Sequence, residues 1–292
     1  VEQVLVNSVI RGSLLALLAL GITLVFSVSR FANIMQVEFA TIGAYGTILV
    51  SNVIGGSLLL DSAIAIVGVA LVAVASYHLV FVRLLRRDAV SAMIGSFALS
   101  IVLRAVVQTI TGPNPRSLDV PIERGVSVLG VLVAPTEIRM TAISIVALAA
   151  VMVALRCTPF GRAVRGVAAN PDLVAAAGLN VRRIVDAVWI LAGVLGGLAG
   201  VALAVQTQAS LGMGIGLLLP VFAAALLGGF GSPGGAIVAA YALALAENVA
   251  LQVDVGGAQL PVIWQPAIGF VLLVVVLVIR PQGLFGRQGR RA

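Results

Sequence analysis

The sequence predicts an all-α fold, a polytopic transmembrane helix bundle of about eight or nine membrane segments, and three observations carry that prediction. Of 292 residues, 61% are hydrophobic and only 10% are charged, whereas an ordinary soluble domain carries about 25% charged residues. The apolar stretches are long and continuous, and a helical span needs about 20 such residues. Strands of a membrane barrel would instead alternate apolar and polar over about ten residues, which is not the pattern here. Residues 1–292 are accordingly read as a single transmembrane domain.

Apolar runs bounded by charges or Gly/Pro clusters place spans at 4–27, 34–54, 61–82, 90–110, 139–155, 184–206 and 262–279. The first run follows Glu2 without the basic start or cleavage site of a signal peptide, so it is expected to remain as a span. Between Ala187 and Ile279 the only formal charges are Glu247 and Asp254, so 217–250 must also lie largely in the membrane. The run from Leu227 to Gly235 interrupts it and makes either two spans or a re-entrant, broken element. Irregular backbone at that depth is tolerated only where protein or a wet cavity satisfies it.

All 18 basic residues are arginine. Without lysine the chain cannot build a Walker A phosphate loop or a Schiff base. Any ATP that drives it is therefore hydrolysed elsewhere. The single cysteine, Cys157, and single histidine, His78, exclude a disulfide framework and a metal site built from several His and Cys ligands. The net charge of +7 does not signal nucleic acid, because the arginines sit in short loops without interleaved aromatics.

Those arginines set an orientation. Thirteen of them fall in one alternating set of segments: Arg30, Arg83, Arg86, Arg87, Arg156, Arg162, Arg165, Arg182, Arg183, Arg280, Arg287, Arg290 and Arg291. Only Arg116, Arg124 and Arg139 fall in the other, so the positive-inside rule puts the N-terminus outside and the C-terminus in the cytoplasm. The largest external loop is 112–136, with Pro113, Pro115 and Pro121 and the acids Asp119 and Glu123. The largest internal one is 156–183, where Pro171 and Asp172 suit a first helical turn and Gly178 its end.

That internal segment can be a solvated, positive loop, or a short helix that lies in a partner's groove and carries its motion into the spans. Its Ala175, Ala176, Ala177 and Gly178 resemble the cytoplasmic coupling loop of ABC importer permeases, in which an Ala-rich helix precedes a glycine. The resemblance extends along the chain, through Asn33–Glu38, Ile42–Tyr45, Gly161–Arg162, Ala176–Asn180, Leu227–Gly235, Ala246–Glu247 and Arg280–Gly286. In that order these motifs look like the permeases of the Liv-type branched-chain amino acid importer family, with departures at Met35 and Val37.

The resemblance implies a bacterial inner-membrane subunit paired with a second permease, a paralogue or itself. It further implies two cytoplasmic ATPases that hold ATP and magnesium, and an external two-lobed solute-binding protein. No cofactor is expected in this chain. The coupling candidates are Gly161, Arg162, Arg165, Asp172, Ala175, Ala176, Ala177, Gly178, Arg182 and Arg183. The solute would be a branched-chain amino acid, urea or a short amide.

Intramembrane polar residues are the candidates for the translocation path. Glu38 lies inside the second span, where an acid costs about 2.5–3.5 kcal/mol unless it faces protein or water. With Asn33 and Gln36 it forms either a polar lining or a hydrogen bond to a neighbouring helix. Arg104, deep in the fourth span, either pairs with an intramembrane acid or lines the path, while Arg11 is expected to snorkel outward. Glu247 with Asn248, and the break at Gly228, Gly229, Gly231, Ser232 and Pro233, complete the set. Gly193, Gly196, Gly197 and Gly200 predict close helix packing. A broken helix and intramembrane acids would also suit an ion-coupled secondary transporter, the rival reading.

Overall fold

The computed structural model describes residues 2–118, 124–128, 130–252, 254–255, 258–259, 265–279 and 283. Asp119, Pro121 and Glu123 of the external loop, residues 262–264 of the last predicted span, and Arg280, Pro281, Gln282, 284–286, Arg287, Arg290 and Arg291 lie outside the described residues.

Helix α1 runs Glu2–Ser29 and leads through 30–33 into a single 3-10 turn, Ile34–Val37, and then α2, Glu38–Ile54. Gly55, at φ 62°, ends α2. Helix α3, Leu58–Ser76, passes through a π-helical turn at Tyr77–Phe81 into α4, Val82–Leu84. Asp88 caps α5, Ala89–Thr111. A small hairpin pairs β1, Val126–Val128, with β2, Val131–Val133, ahead of α6, Pro135–Cys157. Two amphipathic pieces follow, α7 at Pro159–Ala169 and α8 at Pro171–Ala176, and then α9, Val181–Gln206. Next come α10 at Met213–Gly216, α11 at Leu218–Gly228 and α12 at Pro233–Ala250. A two-residue pairing of β3, Asp254–Val255, with β4, Ala258–Gln259, precedes α13, Gln265–Ile279.

Among the described residues, seven helices are long and apolar enough to cross a membrane, and two shorter apolar stretches, Leu218–Gly228 and Ala267–Val276, join them. This is the all-α polytopic bundle expected. The helices overrun the predicted spans, as α6 does at 135–157 against 139–155, because charged ends such as Glu137 and Arg156 leave the hydrocarbon without ending the helix.

The 217–250 region is neither a simple pair of spans nor a lone hairpin. Helix α11 has 11 residues, about 16 Å at 1.5 Å per residue, which is half of a hydrocarbon core of about 30 Å. It turns through Gly229 at φ 85° and Gly231 at φ 88° into the 18-residue α12. A broken half-helix is therefore followed by a full one.

Helices α1 and α9 are central, and α5 and α6 lie at the periphery. The glycines of α9 explain its position: Gly193 lies against Ala70 and Ala73 of α3, and Gly197 against Ile66 and Val69. At Gly200 an added Cβ would overlap the Ala40 carbonyl of α2, so only glycine permits that approach. The two ends of the bundle differ in charge. At one, Arg30 donates to the Ala168 carbonyl and Phe26 stacks on Phe230, near Arg156 and Arg165. At the other, Arg116 and Ala209 pair as an isolated bridge.

Candidate functional site

Two interrupted stretches meet inside the bundle. The segment 30–37 leads in from the end of α1, and α10 leads into α11. Gly214 of α10 sits against the Val37 carbonyl, Thr41 Oγ1 and Glu38 Oε2, so close that a side chain there would displace them. Glu38, 1% exposed, receives a charge-assisted bond from Arg104 Nη2 of α5. Gln36 donates to the Ala192 carbonyl at 2.9 Å, wedged where Gly21 of α1 and Gly196 of α9 leave room for its amide.

The cluster is not saturated. Glu38 Oε2, Gln36 Oε1, Thr41 Oγ1, Arg104 Nε and both side-chain polar atoms of Asn33 are buried without a hydrogen-bond partner. Buried polar atoms are ordinarily satisfied by protein or ordered water. Glu38 Oε2 and Thr41 Oγ1 meet at Gly214, whereas Gln36 turns towards α1 and α9.

Arg11 does not snorkel outward. Its Nε lies 2.7 Å from Oε2 of Glu247, which is fully buried on α12, so the pair ties α1 to α12. Asn248 bonds within its own helix to the Ala244 carbonyl at 2.8 Å. The break residues also lie apart from the Glu38 cluster, separated by the length of α11. Gly228 packs on the Gly235–Ala236 backbone, and Gly231, Ser232 and Pro233 line a pocket at the arginine-rich end.

Residues 156–183 form a compact cap on that end. Thr158 caps α7 through the Gly161 amide at 3.4 Å, and Asn170 Oδ1 accepts from the Asp172 and Leu173 amides at 3.0 and 3.1 Å to start α8. Gly178, at φ 81°, ends it: its amide donates to Ala175 and that of Leu179 to Val174, the paired bonds of a Schellman motif. Val174 alone of α8 is buried, against Gly166. Leu173, Ala175, Ala176, Ala177, Gly178 and Leu179 are all exposed, an apolar face that no described residue of this chain covers. Arg165 donates to the Leu155 carbonyl and so fastens α7 to α6, whereas Arg162 and Asp172 are exposed. Beyond Gly178, Asn180 caps α9 at Arg183, and Arg182 reaches His78.

His78 therefore has partners that the sequence did not reveal. Its Nδ1 lies 3.3 Å from Arg182 Nη2 and its Nε2 3.0 Å from Asp186 Oδ1, within the π-helical turn. Beside it Trp189 stacks on Tyr77, Phe81 and Phe31, pinning the start of the 30–37 segment to α9. Asp61, fully buried in the first turn of α3 with both oxygens unbonded, is a further acid that the sequence did not mark out.

A profile of the family described as "Branched-chain amino acid transport system / permease component" matches residues 4–279. The chain belongs to this family. It is 27% identical over 303 residues to the high-affinity branched-chain amino acid transport system permease protein LivH of Escherichia coli K12, covering 98% of this chain and 95% of that protein. It is 26% identical over 301 residues to BraD, the corresponding permease of Pseudomonas aeruginosa, covering 98% and 95%. Among solved structures, a metal-chelate-type ABC transporter in an inward-facing conformation superimposes with a TM-score of 0.51, covering 94% of this chain and 87% of that one. At 16% identity that likeness is one of fold. Membership makes the chain a multi-pass permease subunit of the ABC importer class, a non-catalytic component, and displaces the ion-coupled secondary transporter.

Proposed function

We propose that this permease carries a branched-chain amino acid, or a closely related small polar solute, past the Glu38–Arg104 cluster, driven by ATPases that dock on residues 161–183. The carrying observation is the buried Glu38–Arg104 pair where two interrupted segments meet at Gly214. A carboxylate and a guanidinium side by side match the ammonium and carboxylate of an amino acid.

The coupling route is short. Helix α7 is fastened to α1 by Arg30, which donates to Ala168, and to α6 by Arg165. Arg30 is the sole described non-glycine residue at positive φ, 57°, a conformation held only where surrounding structure enforces it. Immediately after it the chain enters the segment that ends at Glu38. Displacement of α7 and α8 by a partner would thus pull on the backbone that presents Asn33, Gln36 and Glu38.

In this reading the arginine-rich end faces the cytoplasm of a bacterial inner membrane, and the N-terminus lies outside. ATP and magnesium stay on the partner ATPases, a second permease completes the path, and a two-lobed protein delivers solute from outside. Site-directed crosslinking tests the docking face: with Cys157→Ser as background, Ala176→Cys should crosslink to a co-expressed ATPase of the same transport system, and Val238→Cys should not. Equal labelling at both positions would remove residues 161–183 from the contact.

A further inference from the structure

At the arginine-rich end, a pocket of about 780 Å³ opens between the ends of α1 and α6, helix α7 and the start of α12. Three guanidinium residues line it, Arg30, Arg156 and Arg165, and among the described residues no carboxylate does. The N-terminus of α12 also faces it: Ser232 Oγ takes the Gly235 amide at 3.3 Å, and Gly234 and Pro233 form the rim. A helix N-terminus adds partial positive charge, though here Pro233 has no N–H and the Gly235 and Ala236 amides bond to Ser232. Arg30 and Arg165 each spend one N–H on a backbone carbonyl, and a guanidinium has five to give.

The remaining wall is apolar. Leu24, Met152, Val164, Phe230 and Val238 line it, and Phe26 stacks on Phe230 at 4.4 Å. Val238 and Arg156 are exposed, so the pocket opens sideways at the level where the spans leave the hydrocarbon. Positive charge without a counter-carboxylate favours a net anion over a zwitterion as its occupant. An apolar wall beneath the charge excludes a small, fully hydrated anion.

We propose that this pocket binds an anionic phospholipid, with the phosphate held by Arg30, Arg156 and Arg165 and the upper acyl chain along Met152 and Val238. Basic pockets between spans take such headgroups, and each basic group near the surface strengthens attraction roughly fivefold. The site is distinct from the solute cluster and does not depend on what the permease carries. Its occupant would brace α7 against α1 and α6.

The test is native mass spectrometry of the full-length permease released from nanodiscs of phosphatidylglycerol and phosphatidylcholine in equal amounts. Wild type should retain phosphatidylglycerol preferentially. Arg156→Gln should weaken retention roughly fivefold and Arg30→Gln/Arg156→Gln roughly twentyfold or more. Val238→Trp, which fills the apolar half without changing charge, should expel the lipid from a folded protein and guards against misfolding of the arginine variants. Equal retention of the two lipids by wild type would overturn the proposal, as would unchanged retention in Val238→Trp and the double arginine variant. Inorganic phosphate displacing phosphatidylglycerol at equimolar concentration would also overturn it, since the pocket would then be a free-anion site.

Discussion

Glu38→Gln keeps the size and hydrogen-bonding capacity of the side chain and removes its charge, leaving Arg104 without a counterion. Glu38 is 1% exposed and Arg104 22% exposed, so little solvent screening compensates. An unpaired charge at that depth costs about 2.5–3.5 kcal/mol, and breaking one side of a buried pair costs about 3–5 kcal/mol. A loss near 3 kcal/mol corresponds to roughly a hundredfold fall in the folding equilibrium constant. Arg104→Gln should cost about as much by stranding Glu38. The double variant replaces both charges by amides that can bond each other, and should lose only about 1 kcal/mol. Unfolding in nanodiscs reads stability, and uptake into vesicles with the partner ATPases reads function. If the pair lines the path, the double variant recovers stability but not uptake. Uptake returning together with stability would reduce the pair to a structural tie. A double variant as unstable as either single would refute the ion pair itself.

Three further outcomes follow from the same geometry. Gly178→Trp places a bulky side chain at φ 81° with open space around its Cβ, so the backbone strain of about 1–2 kcal/mol should leave the permease inserted while co-purification of the ATPase and solute-stimulated hydrolysis are lost; retained ATPase would remove the coupling role. Arg11→Ala strands Glu247, fully buried at 2.7 Å, and should lower stability by about 3–5 kcal/mol without changing solute selectivity, measured by thermal unfolding and competition for uptake. At Asp88, the backbone N–H and hydroxyl of Ser91 hold the carboxyl below its ordinary 3.8. The α5 cap is then fully present above that value and is lost as pH falls through the depressed one. Hydrogen exchange at the Ser91 amide should accelerate on acidification in wild type and be fast and nearly pH-independent, after correction for intrinsic exchange, in Asp88→Ala.

What the sequence could show was whatever depends on near neighbours. Helix α8 was legible because its signals are local, Pro171 and Asp172 at its start and Gly178 at its end, whereas α7 before it was not read as a helix. The Gly193–Gly200 stripe announced close packing for the same reason. The ion pairs were not legible, because Arg11 and Glu247 lie 236 positions apart and Glu38 and Arg104 lie 66 apart, so that only the packed bundle decides between pairing and snorkelling. The glycine break after Leu227 was visible, but its depth was not: nothing local distinguishes the half-length α11 from a full span. His78 looked solitary because its partners belong to α9, and Asp61 was overlooked because a single acid at a span end ordinarily reaches water.

On the proposed coupling, this permease is driven through its 161–183 cap by separate ATPases and has no ion-driven mode of its own. Radiolabelled leucine uptake into proteoliposomes tests it most directly, with the permease alone or with the other subunits of its transport system. Accumulation is expected only in the complete system supplied with ATP, and none in vesicles holding the permease alone under a proton or sodium gradient. Concentrative uptake by the permease alone under such a gradient would contradict it.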